Sequence, residues 1–365
     1  MMENNDKNKL KALERVKEEI AKIDKNENTI YFFVIDTKGI PSGSLEYIYN
    51  LALMAKDAGY NVMMLYQDEN FVGVRDWLGD KYADLPHESV TKENVNVSPS
   101  DILFIPEIFA TVMNQTKKLP CKRIAILQNY DYMAEQMPLS VQWGDFGIME
   151  CITNTEYNMD LLKEAFPYVS TKVIKPYISK IFGTTSEPKD MIINIVAKDP
   201  EDVNKIVKPF YWKYPAYKWV TFRDLRGLPK HEFANSLRKA AVTIWVDDST
   251  SFGYSAIEAM KSGSIVIAKV PDNVQGWMVN VTDDNDEVLT DGCLWFNSFH
   301  SLHKNIAGIV RSWITDSIPE NIYENTKKIT SLYSEDETRE EFLSYLKGVI
   351  ENRLNDMKEI LKKFS

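Results

Sequence analysis

The residues whose types and spacing best suit chemistry lie in one segment, from Val242 to Ala268. An apolar run, a polar loop, Gly253, a helical run and a second apolar run predict strand, loop, helix and strand. A helix N-terminus at the edge of a parallel sheet presents free backbone N–H groups and the positive end of the helix dipole, which favour phosphate. Glu258 lies about one turn into this helix, where its carboxylate could accept hydrogen bonds from a ribose diol.

The same residues also fit a purely structural interpretation, a capping box. Ser255 as the N-cap residue and Glu258 at the third helical position have the spacing at which each side chain accepts from the other's backbone N–H. Spacing alone favours neither the ligand-binding nor the capping interpretation, so both stay open here.

A second polar cluster follows the predicted strand from Arg123 to Leu127. Gln128, Asn129, Tyr130 and Asp131 come directly after it. In open α/β sheets, ligands bind at the carboxyl ends of the strands. Asp131 is therefore a candidate for contacting a substrate hydroxyl, and an ordinary polar loop is the alternative.

Several catalytic motifs are absent from the sequence. It contains no GxGxxG, GxxxxGK, GxSxG or HExxH pattern, which argues against nicotinamide dehydrogenases, P-loop NTPases and the common hydrolases. His300 and His303 have a spacing that could place two ligands on one helix face, but no Cys or carboxylate pattern completes a site. The acidic run from Asp283 to Asp286 lacks the Gly and distal Glu of a calcium loop, so we predict no metal site.

Composition places the chain among ordinary globular proteins. It has 365 residues, 44% hydrophobic and 26% charged, which predicts two domains. The net charge of −10 argues against nucleic acid and anionic membranes as partners. No apolar stretch is long enough to cross a bilayer and the N-terminus has no signal-peptide pattern. With its 3 cysteines and no CxxC spacing, the chain is expected to be cytoplasmic, without stable membrane insertion.

The order of elements predicts two similar domains. Apolar residues at helical spacing predict a surface helix over 1–24, and strands then alternate with helices up to a Gly/Ser/Thr/Pro-rich break near 183–188. We place the N-terminal domain at 1–182 and the C-terminal domain at 189–334. Residues 335–365 predict one amphipathic helix, about 45 Å long at 1.5 Å per residue, packing back toward the first domain. A coiled coil or partner-binding helix is the alternative.

The stretch STSFGYSAIEAMKSGSIVIA, at 249–268, resembles the EGFGxxxxEAMAxGxPVIA signature of the retaining, nucleotide-sugar-dependent family 4 glycosyltransferases. The stretches at 39–65, 149–179 and 225–246 are similar to other parts of that family in the same order, so the resemblance covers roughly 30–270. It implies an α/β fold of two facing Rossmann-like domains, the glycosyltransferase B-type (GT-B) fold, with a long C-terminal crossing helix.

The resemblance also implies roles for individual residues. Glu258 matches the second acid of the family's paired glutamates, which implies contact with the donor ribose. Because no metal is expected, cations must stabilise the departing nucleotide diphosphate. The residues implied to lie near the donor phosphates are Gly43, Ser44, Lys198, Lys205, Ser251, Phe252, Gly253, Tyr254 and Ser255.

The sequence departs from the family pattern at the first acid. That acid falls eight residues before Glu258, at Thr250, and Asp247 or Asp248 could replace it only after a shift in register. This acid normally holds the donor sugar, so the departure bears directly on activity. Lys205 has a second interpretation, because the acidic first turn of its predicted helix suits an ordinary solvated lysine.

Together these observations predict a glycosyltransferase that moves a sugar from a nucleotide-sugar donor to a glycan, lipid-linked or small acceptor, with retention and without a cofactor. Glu258, Thr250 and Asp131 are the candidate catalytic residues. Two alternatives remain: a catalytically inactive nucleotide- or carbohydrate-binding protein of the same fold, and a nucleotide-sugar epimerase or hydrolase.

Overall fold

The computed structural model describes residues 2–91, 95–274, 276–281 and 287–364. Two parallel sheets and a small hairpin organise them. The first sheet has seven strands in the order β3-β2-β1-β4-β5-β6-β7, all parallel. Its strands are β1 (Thr29–Phe33), β2 (Asn61–Tyr66), β3 (His87–Ser89), β4 (Ile102–Pro106), β5 (Lys122–Leu127), β6 (Glu150–Thr153) and β7 (Ser170–Val173).

The second sheet has five parallel strands in the order β14-β11-β10-β8-β9. A separate antiparallel hairpin pairs β12 with β13. These strands are β8 (Asp190–Ala197), β9 (Thr221–Asp224), β10 (Ala240–Val246), β11 (Ile265–Lys269), β12 (Val279–Val281), β13 (Glu287–Leu289) and β14 (Cys293–Phe296). The predicted acidic run from Asp283 to Asp286 lies outside the described residues.

Helices cover both sheets. They are α1 (Met2–Asp24), α2 (Gly43–Asp57), α3 (Arg75–Leu78), α4 (Asp80–Ala83), α5 (Ala110–Gln115), α6 (Tyr130–Gln136), α7 (Glu156–Ala165), α8 (Pro200–Lys213), α9 (Lys230–Lys239), α10 (Tyr254–Lys261), α11 (Phe299–Ile314), α12 (Glu320–Ser331) and α13 (Glu335–Phe364). The predicted two-domain α/β fold with a long C-terminal helix is confirmed.

Helix α2 illustrates how local sequence sets the boundaries. Ser42 caps its N-terminus by accepting a hydrogen bond from the Leu45 N–H. Gly59, with φ of 90°, follows its C-terminus in the left-handed region that glycine adopts without strain. Between these caps, Leu51 and Ala52 are fully buried. The helix is thereby fixed against the first sheet, with its N-terminus at the edge where the strands end.

Helix α13 returns to the first domain after the second domain is complete. Phe342 is fully buried, with its ring centroid 6.2 Å from that of Phe104 on β4. The Arg353 guanidinium donates to the carbonyl oxygens of Pro99 and Pro120, at 2.8 and 2.7 Å. The helix also packs against α1 and α2. Helix α13 therefore brings the chain back from the second domain to the first.

Some predicted boundaries shift in the structure. The strands predicted to begin at Arg123 and Val242 begin at Lys122 and Ala240 instead. Cys121, Cys151 and Cys293 are buried free thiols. Within the described ranges, every helix is too short or too polar to span a bilayer.

Candidate active site

A cleft of about 540 Å³ lies between the two domains and is lined by residues from both. The first domain contributes the N-terminus of α2, and the second contributes the carboxyl ends of β8 and β10 and the start of α10. We call it the interdomain cleft. The predicted residues that line it are Gly43, Ser44, Lys198, Thr250, Ser251, Phe252, Gly253, Tyr254, Ser255 and Glu258.

The capping-box interpretation of Ser255 and Glu258 is wrong. Helix α10 begins at Tyr254 with Gly253 as its N-cap residue, so Ser255 already lies within the first turn. Gly253 has no side chain, so the N-cap residue makes no capping hydrogen bond. The φ of 77° at Gly253, and the 3.1 Å that would separate an added Cβ from both Met278 and Trp277, explain why glycine is needed there. The N-terminus of α10, with Gly253, Tyr254 and Ser255, lines the cleft.

The two domains approach closely at Gly43. A Cβ added there would lie 2.6 Å from Cδ2 of Tyr254, a clash that only glycine avoids. The Ser44 hydroxyl donates to the Ser251 hydroxyl at 2.9 Å, and the Asn154 amide donates to the Ser251 carbonyl oxygen at 2.6 Å. The α2 turn and the α10 loop are thus in direct polar contact across the cleft.

Glu258 belongs to a group of three ionisable side chains in the cleft. Glu258 is 6% exposed, and Glu46 on α2 is 7% exposed. Lys230, the first residue of α9, forms an ion pair with Glu46 across the domains. Burial, together with the charge of Glu46, raises the pKa of Glu258 to about 8, while Lys230 opposes that rise. We call these residues the Glu46–Lys230–Glu258 cluster.

Lys198 and Asp247 form a second ion pair in the cleft. Their side chains meet at 2.8 Å, and the Lys198 ammonium also donates to the Ser249 carbonyl oxygen at 2.9 Å. Burial raises the pKa of Asp247, and Lys198 opposes the rise. Asp247 directly follows the fully buried strand β10 and lines the cleft. Asp248 instead pairs with Lys269.

Thr250 is held by its backbone. Its N–H donates to the Asn273 side-chain oxygen at 3.0 Å, and the Asn273 amide donates to the Thr250 carbonyl oxygen at 2.7 Å. Both residues are buried. The two hydrogen bonds with Asn273 therefore fix the loop that places Thr250 at the cleft.

Two predicted residues are not brought to the cleft. Lys205 is exposed on α8 and pairs with Asp202 at 2.9 Å, beyond the Asp199 N-cap and Pro200 that begin the helix. Asp131 is exposed in the first turn of α6 and does not line the cleft. Its neighbour Tyr132 does.

The two histidines at helical spacing, His300 and His303, have different environments. His303 is buried, with Nε2 2.9 Å from the Ile206 carbonyl oxygen, and His300 is exposed. No group of three or more potential ligands is found among the residues that the structure describes.

Sequence reasoning missed Glu46 and Lys230. Glu46 lies three residues after Gly43, in the first turn of a helix whose N-terminus was already predicted to face ligand, and that position was the available signal. Lys230 offered none, because its partner is 184 residues away in the chain.

Comparison of the sequence with known proteins finds a distant relative. No protein-family model matches the chain. An alpha-1,6-glucosyltransferase of Actinobacillus pleuropneumoniae serotype 7 is 22% identical over 182 residues, 49% of this chain and 55% of that protein. The chain thus spans about half the length of the curated relative it matches.

Solved structures show the same fold over most of both chains. Sucrose-phosphate synthase from Thermosynechococcus elongatus superposes with a TM-score of 0.60 at 12% identity, covering 89% of this chain and all of that one. Anabaena HepE in complex with UDP-glucose gives 0.59 at 10% identity, covering 88% and 99%. The fold is therefore the two-domain GT-B fold of glycosyltransferases.

Proposed function

We propose that this protein is a glycosyltransferase that takes a sugar from a nucleotide-sugar donor bound in the interdomain cleft. The observation that carries the proposal is the convergence there of the uncapped α10 N-terminus, the Lys198 ammonium and the buried Glu258 carboxyl. An anion-binding helix end, a cation and a ribose acceptor are the three groups that a nucleoside diphosphate needs. The GT-B fold, a solved neighbour in complex with UDP-glucose and a distant relative named as a glucosyltransferase support it.

In this proposal each group has one task. The N–H groups of Tyr254 and Ser255 receive the diphosphate, and Lys198 neutralises the charge that develops on it as the sugar departs. Glu258 accepts hydrogen bonds from the ribose hydroxyls. Asp247, close to the usual position of the family's first acid, contacts the donor sugar in place of Thr250.

The proposed reaction breaks the bond between the sugar's anomeric carbon and the donor phosphate oxygen. The acceptor oxygen forms the new bond on the same face, and the donor phosphate oxygen takes the acceptor's proton, so configuration is retained. Lys198 and the α10 N-terminus stabilise the departing diphosphate, while closure of the domains excludes water. We propose that the acceptor, a glycan, lipid-linked or small hydroxyl compound, lies on the first-domain side.

Nucleotide binding tests the site directly. We expect one series among UDP, GDP, ADP, CMP, dTDP and their sugar conjugates to raise the thermal midpoint, since a ligand of the folded state stabilises it by mass action. Glu258→Ala should abolish the shift, because the ribose loses its acceptor. Lys205→Ala, outside the cleft, is the matched control and should keep it. If millimolar nucleotide shifts none of the proteins, the donor-site proposal is wrong.

Thr250 favours a second candidate, a binding protein without turnover. Product analysis separates it from the enzyme: tight nucleotide-sugar binding without product favours the binding protein. Free nucleotide with no transferred sugar indicates a hydrolase instead. Asp247→Asn provides a further distinction, because it should lower transfer at least about tenfold if Asp247 holds the sugar and leave binding by an inactive protein nearly unchanged.

A further inference from the structure

Three charges meet in the Glu46–Lys230–Glu258 cluster, and they do not balance. Glu46 and Glu258 bring two potential negative charges and Lys230 brings one positive charge to a part of the cleft where all three side chains are largely buried. Leaving a net charge in such a place is costly, so one of the acids must hold a proton or gain another partner. The direct contact of Lys230 with Glu46 leaves Glu258 as the acid that is under-compensated.

The three residues come from different parts of the molecule. Glu46 belongs to the first domain, whereas Lys230 and Glu258 belong to α9 and α10 of the second. Movement of the domains therefore changes the distance between Lys230 and Glu46, and with it the electrostatic effect of Lys230 on Glu258. The Tyr254 hydroxyl, also buried, has no hydrogen-bond partner among the described residues, so it does not satisfy either acid.

We propose that Lys230 and Glu46 are positioning residues that control the charge of Glu258, and through it the affinity of the interdomain cleft for nucleotide. The inference rests on the proposed function, in which Glu258 accepts hydrogen bonds from the donor ribose. Lys230 stabilises the ionised form of Glu258, which accepts hydrogen bonds from the ribose. When the domains are in contact, Lys230 pairs with Glu46 and stabilises the Glu258 carboxylate less. Donor binding and domain contact are thus linked through one lysine.

The expected signature is a break in the pH dependence of nucleotide affinity. The pKa of Glu258 is raised to about 8 by burial and by Glu46, so the carboxyl is largely protonated at neutral pH. Affinity should rise about tenfold per pH unit below that value and level off above it, because binding requires loss of the proton. The Glu258→Gln variant should show no break, which controls for titration of the nucleotide phosphate near about pH 6.

The two positioning residues should move this break in opposite directions. Lys230→Met removes the favourable cation, so the break should move to higher pH, and Glu46→Gln removes the repelling carboxylate, so it should move to lower pH. Shifts of about one pH unit are expected for neighbouring charges. The Lys230→Arg variant should keep the break near its wild-type position, and the double variant Glu46→Gln/Lys230→Met should lie between the single ones. If Lys230 and Glu46 had only a structural role, neither Lys230→Met nor Glu46→Gln would shift the pH of the break.

The experiment is isothermal titration of the full chain with UDP, or with GDP or ADP if the thermal screen selects one, from about pH 6.5 to pH 9.5. Thermal midpoints confirm that each variant is folded, and Lys205→Met serves as a control outside the cleft. If wild type and Glu258→Gln behave as expected but the breaks of Lys230→Met and Glu46→Gln coincide with the wild-type break, the inference is overturned and the donor site stands. If wild type binds no nucleotide, or binds it less tightly as pH rises, the acceptor role of Glu258 fails and the inference fails with it.

Discussion

Glu107 is a buried acid outside the interdomain cleft. It follows β4 and is 3% exposed, and its carboxylate accepts a hydrogen bond from the Asn129 N–H at 3.0 Å. Its second carboxylate oxygen has no partner among the described residues. Burial raises its pKa from 4.5 to about 7. The folded protein therefore holds this proton more tightly than the unfolded chain does.

The stability contributed by the protonated Glu107 is present below about pH 4.5 and is lost as pH rises through about 7. A Glu107→Gln variant keeps the acceptor for Asn129 and never ionises. As pH rises through that range, the free energy of unfolding of Glu107→Gln should increase relative to that of the wild type by about 1.4 kcal/mol for each pH unit. Urea unfolding from acidic to alkaline pH measures this difference. The exposed Glu164→Gln serves as control, and a constant difference between Glu107→Gln and wild type would contradict the prediction.

The candidate site shows which residues a sequence can reveal. Thr250 to Glu258 were found because they are contiguous, so the strand–loop–helix pattern alone brings them to one place. Lys205 was misplaced because helical position does not say which way a charged side chain faces, and Asp202 holds it on the outer surface. Contacts between the domains, such as that of Lys230 with Glu46, depend on tertiary packing that periodicity does not encode.

At the scale of elements, α13 stabilises the first domain. Phe342→Ala should lower the free energy of unfolding by about 3 kcal/mol or more, because the cavity next to Phe104 cannot fill completely. Ile360→Ala, on the same helix but 43% exposed, should change it by less than about 0.5 kcal/mol. Denaturant unfolding followed by circular dichroism compares the two variants. Equal effects would mean that α13 is not part of the first domain's core.

Elements with strong patterns were predicted well, and short ones were not. Strand β5 forms within one residue of the predicted Arg123–Leu127, because it is a compact, largely apolar run. Strand β3 is three residues long and contains His87 and Glu88, so its pairing with β2 is visible only in three dimensions. Helices α3 and α4 have four residues each, which is too short for a helical pattern to show in the sequence.

At the scale of the whole molecule, polar contacts cross between the domains around the cleft, beside a hydrophobic cluster that contains residues of both. Asn154→Ala would remove the hydrogen bond to the Ser251 carbonyl oxygen and should favour an open arrangement about fivefold, the effect of a typical hydrogen bond. Small-angle X-ray scattering should then show a larger radius of gyration, reversed by a bound nucleotide. Asn305→Ala, which removes a bond to Trp295 within the second domain, should leave the radius unchanged. An unchanged radius for Asn154→Ala would show that the bond to Ser251 does not hold the domains closed.

The position of α13 also constrains how the protein is made. The helix that completes the first domain's core follows the whole second domain in the chain. During translation, at about 5–20 residues per second, the first sheet therefore leaves the ribosome long before Phe342 and Arg353 exist to cover it. Part of the first domain's apolar surface therefore stays uncovered while the second domain is synthesised, until α13 has left the ribosome.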